Sequence, residues 1–113
     1  MATITYTVTV ASGTNAYGTG NKFFINGEVS PILYLQEGNT YIFDQSDSSN
    51  DTHQIAFSTN ANNSPTSPYT SGVTTTGTAG QAGAKTTINV APVRTTGAPV
   101  LFYYCTAHAG MGN

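Results

Sequence analysis

The sequence predicts an all-β sandwich, and three observations carry that expectation. Ile4, Tyr6, Val8 and Val10 alternate strictly with Thr3, Thr5, Thr7 and Thr9, the period of two that gives a strand one apolar and one hydroxyl face. Thr, Val, Ile and Tyr recur along the whole chain, and β-branched and aromatic side chains suit a pleated, half-buried surface better than a helix. Turn signals built from Gly, Asn and Pro punctuate the apolar runs at short intervals, and no run repeats at helical spacing. With 113 residues the chain is expected to form a single domain, residues 1–113, with one modest core.

The first strand is expected over Ile4–Val10, followed by a Gly-rich loop, ASGTNAYGTGN. FFING reads as a short strand running into a turn at Asn26-Gly27. In PILYLQEGNTYIFD two apolar runs flank Glu37-Gly38-Asn39, and Gly38 can take a positive φ, so the segment predicts a hairpin. QSDSSNDT is a polar loop and HQIAFS the next strand. The stretch 59–72 is an irregular excursion, GVTTTGT a short edge strand and GQAGAK a loop. TTINVAP predicts a strand ended by Pro92, RTTGAP a turn, and VLFYYC the last apolar strand. The total is about seven or eight short strands, the number expected of a β-sandwich.

Charged residues make up only 7% of the chain, with three basic and five acidic side chains. That excludes the basic stripe which phosphate-driven nucleic-acid binding requires. The surface is instead polar and nearly neutral, which suits either a plain soluble domain or a module displayed on a particle or cell surface. No stretch is long and apolar enough to span a membrane, and MATITYTVTV lacks the basic and apolar regions of a cleaved secretion signal. Tyr17 and Tyr69, both placed in loops, are the aromatics available for contacts. Asn50-Asp51-Thr52 and Asn62-Asn63-Ser64 match glycosylation sequons. No carboxylate pair or nucleophile–base arrangement marks the chain as an enzyme.

Soft metal donors are rare here and they cluster. The single Cys, one of two His and the one Met besides Met1 read C-x2-H-x2-M: Cys105, His108 and Met111. Thiolate, imidazole and thioether together suit copper, whose trigonal Cys/His2 site takes a weak axial Met. The other His, His53, heads the strand HQIAFS. If Ile55, Phe57, Leu101 and Tyr103 face the core, strand parity turns His53 and Cys105 inward at the ends of their strands. The plain alternatives are a small buried Cys, a polar His and a Met that fills a loop; a thiol nucleophile at Cys105 is a further one, but it leaves Met111 and His53 without a role.

DTHQIAFS followed by YYCTAHAGM, with PILYLQEGNTYIFD upstream, resembles the cupredoxins, the small blue copper proteins of the plastocyanin and amicyanin type. The likeness runs from about Phe23 to Met111. It implies a Greek-key β-sandwich with one type 1 copper, bound by His53 and His108 through their rings, by Cys105 as thiolate and by Met111 as the long axial ligand. The wording is similar to cupredoxin-like domains of marine phage and bacterial virion or surface proteins, in EGNTYIFDQSDSSN, YTSGVTTTGT and the YYC-x2-H-x-GMG ending. Three departures stand out. Gln54 replaces the family's usual Asn after the first ligand His, Ala107 replaces a frequent Pro before the second, and the family's final closing strand after Met is missing, since the sequence stops at Asn113.

The resemblance therefore implies a non-enzymatic module of a phage particle or surface assembly, located on a virion or extracellular surface, that contacts neighbouring copies or other subunits. Its alternative is a soluble carrier of single electrons. The missing strand predicts an open sheet edge, to be covered by Ile4–Val10 or by another chain.

Overall fold

The computed structural model describes residues 2–59, 63, 68–90 and 101–113. Among them lie nine strands and a single 3-10 turn: β1 (Thr3–Asn15), β2 (Gly18–Ile25), β3 (Glu28–Val29), β4 (Thr40–Asp44), β5 (Ile55–Ser58), β6 (Pro68–Tyr69), β7 (Val73–Thr76), β8 (Lys85–Asn89) and β9 (Phe102–Cys105). Six of them form one sheet in the order β3-β2-β1-β4-β8-β7, and three form a second in the order β6-β5-β9. The all-β sandwich is thus what the chain forms. No helix among the described residues is long and apolar enough to cross a membrane. The expected turn RTTGAP, Pro92, the start of VLFYYC, and the sequon at Asn62 lie outside the described residues.

The alternation at the N-terminus does what its period dictates. Val8 is fully buried, Ile4, Tyr6 and Val10 pack against the core, and Thr3, Thr5 and Thr7 face outward. The strand does not stop at Val10, however. It continues to Asn15, turns at Ala16-Tyr17 and returns as β2, so the Gly-rich stretch forms the arms of a hairpin with Asn15 opposite Gly18. The sequence predicts a loop there; Gly18 and Gly20 are instead accommodated within a strand at positive φ. β1 changes partner midway: Thr3–Thr7 run parallel to β4, and Val8–Asn15 run antiparallel to β2.

The hairpin expected over PILYLQEGNTYIFD does not form. Its turn exists, with Gly38 at φ 81° and the Asn39 N–H donating to the Gln36 carbonyl. Its second arm is β4, but β4 is already paired with β1 on one side and β8 on the other, so no edge remains for the first arm. The phenolic oxygen of Tyr41 accepts the Gln36 N–H in place of a ladder bond.

Between the sheets lies one core, in which Val8, Phe23, Phe43 and Ile88 of the large sheet meet Ile55, Phe57 and Tyr103 of the small one. The Phe43 and Phe57 rings meet edge-on at 5.3 Å, and Phe23 lies 6.5 Å from Tyr103. Each such ring removed from water stabilises the fold by about 1.5–3 kcal/mol. Among the described residues β9 stands at the edge of the small sheet and no strand follows it. Ile4–Thr7 do not cover that edge but sit in the middle of the large sheet; the tail bonds both sheets, the Tyr103 N–H of β9 donating to the Asn113 carbonyl and the Phe23 N–H of β2 to that of Met111.

Candidate metal centre

β5 and β9 pair antiparallel with Ile55 opposite Cys105 and Phe57 opposite Tyr103. Ile55, Phe57, Tyr103 and Cys105 are all buried, so the parity inferred from the sequence holds. It brings His53, two residues before β5, to the same end of the sandwich as Cys105, the last residue of β9. The loop after β9 then carries His108 back over both.

The three donors converge. Cys105 Sγ lies 3.6 Å from His53 Nδ1 and 4.0 Å from His108 Nδ1, the two imidazole rings lie 5.0 Å apart, and one ligand atom from each residue falls within 4.8 Å of the others. A metal bound to thiolate at about 2.3 Å and to imidazole at about 2.0–2.1 Å, with angles between tetrahedral and trigonal, would set S···N near 3.6–3.8 Å. The spacing therefore fits a shared metal ion. Met111 is fully buried and belongs to the same core cluster as Cys105. Cys105 is buried, His53 half-buried and His108 exposed, so the group reaches from the core to the surface.

Burial, and then the neighbouring His108, hold the pKa of His53 below the ordinary imidazole value, opposed by Asp51. The shift favours the neutral imidazole, the form that binds a metal. The Ala107 N–H donates to Cys105 Sγ at 3.5 Å, a contact that favours sulfur as an acceptor.

The backbone around the donors is held by polar residues that the sequence reading does not single out. Around His53, the N–H donates to the Asn50 carbonyl at 2.6 Å and the carbonyl accepts from Gln45 Nε2 at 2.7 Å. Gln45 Oε1 also accepts the Ile55 N–H, and Asn50 Nδ2 donates to the Val8 carbonyl. Asn50 is fully buried, which removes it as a glycosylation acceptor in the folded protein. Thr52, beside His53, sits at φ 68°, a genuine outlier for a β-branched residue. Gln54 does not reach across to the second loop through its side chain, which donates to Thr86 Oγ1; its backbone carbonyl takes that role by accepting the Thr106 N–H.

At the other loop, Asn63 Nδ2 donates to the Tyr103 carbonyl, its Oδ1 accepts the Gly112 N–H, and its backbone carbonyl accepts the Gly110 N–H. Lys22 Nζ and Asn15 Nδ2 both donate to the Gly110 carbonyl, and Ser30 Oγ donates to that of Met111. Lys22 is only 4% exposed, so this cation in FFING's strand lies inside, against the loop. Sequence signals did exist: a lone Lys preceding two Phe, and an Asn within an Asn-rich stretch, a residue that tolerates the left-handed conformation seen at Asn63, φ 50°.

The expected contact aromatics divide. Tyr17 is partly exposed at the β1–β2 turn, whereas Tyr69 packs on the core from β6. No family model matches the chain, and neither a curated protein nor a solved structure matches it.

Proposed function

We propose that this chain is a copper-binding module of the cupredoxin type, built into a phage particle or surface assembly. One observation carries the metal reading: the Cys105 sulfur and both imidazoles of the chain meet at ligand-to-ligand spacing at one pole of a β-sandwich. A buried thiolate, two imidazoles and a nearby thioether form a donor set that suits copper over hard cations, and Met111, three residues past His108, is the axial candidate. When bound, copper in such a site supplies a one-electron couple and a covalent pin between β5 and the last loop. The nearly neutral polar surface of the chain supports a displayed module. A second reading, a soluble electron carrier, is favoured by the exposure of His108 beside the buried Cys105, which gives a redox partner an imidazole edge to approach.

Titration of the purified protein with Cu(II) tests the metal reading. The expected outcome is an intense thiolate-to-copper absorption in the red that saturates at one equivalent. Cys105→Ser should abolish it while leaving the far-UV signal of the sheets unchanged. A colourless wild-type protein, or undiminished copper binding in the Ser variant, rules the assignment out.

A further inference from the structure

The turn that carries His53, residues 50–54, is held from three sides. Thr52 sits in it at φ 68°, a conformation that a β-branched residue keeps only where its surroundings over-determine it. From β1, the Val8 carbonyl accepts Asn50 Nδ2 at 2.7 Å, and Asn50 is fully buried. From the loop between β7 and β8, Gly80 lies directly against Asp51. At φ 90° a Cβ on Gly80 would stand 2.5 Å from the Asp51 Cα, so this close approach requires glycine. From the end of β4 comes Gln45, only 1% exposed. Its own backbone is anchored to that same loop, its N–H donating to the Ala84 carbonyl and its C=O accepting the Gly80 N–H.

Gln45 makes the contacts that bear on the imidazole. Its Nε2 donates to the His53 carbonyl at 2.7 Å and its Oε1 accepts the Ile55 N–H at 3.0 Å, so one side-chain amide bridges the peptide groups on either side of Gln54. Nε2 also donates to Asn50 Oδ1 at 3.1 Å, and the Asn50 carbonyl accepts the His53 N–H at 2.6 Å. Both backbone groups of His53 are therefore fixed. Only its side-chain torsions remain to place Nδ1, which lies 3.6 Å from Cys105 Sγ. We infer that Gln45 is a positioning residue that aims the His53 imidazole at Cys105. As a role at a metal centre this rests on the copper reading; the aim itself exists in the metal-free chain. Groups that orient a ligand in this way set metal affinity and geometry although they touch no metal. An amide suits the task because it carries a donor and an acceptor on one rigid plane.

Gln45→Met tests the inference on the full chain, since it keeps the length of the side chain and loses its hydrogen bonds. In the metal-free protein, nuclear Overhauser contacts between the His53 ring and the Cys105 β-protons should be present in wild type and lost in the variant. With copper, the variant should bind about 10–100-fold more weakly, and its thiolate-to-copper absorption should move from the wild-type position. A loss of stability alone lowers the folded fraction but leaves the band of the folded, loaded protein in place, so the band separates positioning from general support. If Gln45→Met does not fold, Gln45→Asn takes its place: its amide is one methylene too short to reach both His53 and Ile55, and the same changes are expected. Ring contacts retained in a folded variant, or a copper band that does not move, overturn the inference. A colourless wild type whose ring contacts still depend on Gln45 removes the copper reading and leaves the aim of His53 standing, so the two fail separately.

Discussion

Asn63 holds both ends of the last loop, and its replacement has a calculable effect. Its side chain satisfies two buried backbone groups, the Tyr103 carbonyl at 2.9 Å and the Gly112 N–H at 2.8 Å. Gly in its place leaves both unpaired, at about 1–3 kcal/mol each, while still accepting the left-handed backbone at φ 50°. A loss of about 3–4 kcal/mol is therefore expected for Asn63→Gly. Ala at the same position adds about 1–2 kcal/mol, because its Cβ is unfavourable at positive φ. Asp keeps the acceptor for Gly112 but sets a second oxygen against the Tyr103 carbonyl, so it should be no better than Gly. With a urea dependence of about 1.5 kcal/mol per molar, the Gly variant's midpoint should fall by about 2 M. Urea unfolding followed by sheet circular dichroism measures this. A loss below about 0.5 kcal/mol, within the range of an ordinary surface substitution, would show that the tail is held without Asn63.

Two further outcomes follow from local geometry. Thr52→Asn should raise stability by about 1 kcal/mol, because Asn tolerates the left-handed region that a β-branched residue enters only under strain; an unchanged urea midpoint would remove strain from the account. Asp44 accepts from the side chain and the backbone N–H of Ser46, which hold its pKa below 3.8, the ordinary value. Since its folded pKa is the lower one, its contribution is present above about pH 4 and is lost as pH falls through the folded value. Asp44→Asn should therefore flatten the acid limb of the stability profile below about pH 4, and an identical profile would contradict this.

Much of the fold was legible wherever a period of two was unbroken. Ile4–Val10 and the inward parities of β5 and β9 followed from alternation; the shared pole of His53 and Cys105 comes from the antiparallel register that sets Ile55 opposite Cys105. Legibility failed where competition among elements decided the outcome. Nothing local in PILYLQ distinguishes it from a hairpin arm; it lacks a partner because β1 and β8 take both edges of β4. Glycines in GTGN read as loop because the signal of glycine is conformational freedom, which a hairpin arm can also use. The donors themselves were visible because Cys, His and Met are scarce in this chain. Asn63, Gln45 and Lys22 were not, because one Asn or Gln looks like another until the backbone group it satisfies is known.

The way the last loop is tied down also sets when the centre can exist. The bonds from Ser30, Lys22 and Asn15 to residues 110–112 join positions 81, 88 and 97 residues apart, and His53 is 52 residues from Cys105. Contacts of such high order form late, because the entropy of closing long loops is met before they contribute anything. A partly folded chain would carry Cys105, His108 and Met111 on one short stretch, yet lack both His53 and the scaffold that seats them. On the proposed reading, coordination by all four donors would wait for the first hairpin and the last strand to dock, and metal capture would report that these parts of the chain have folded.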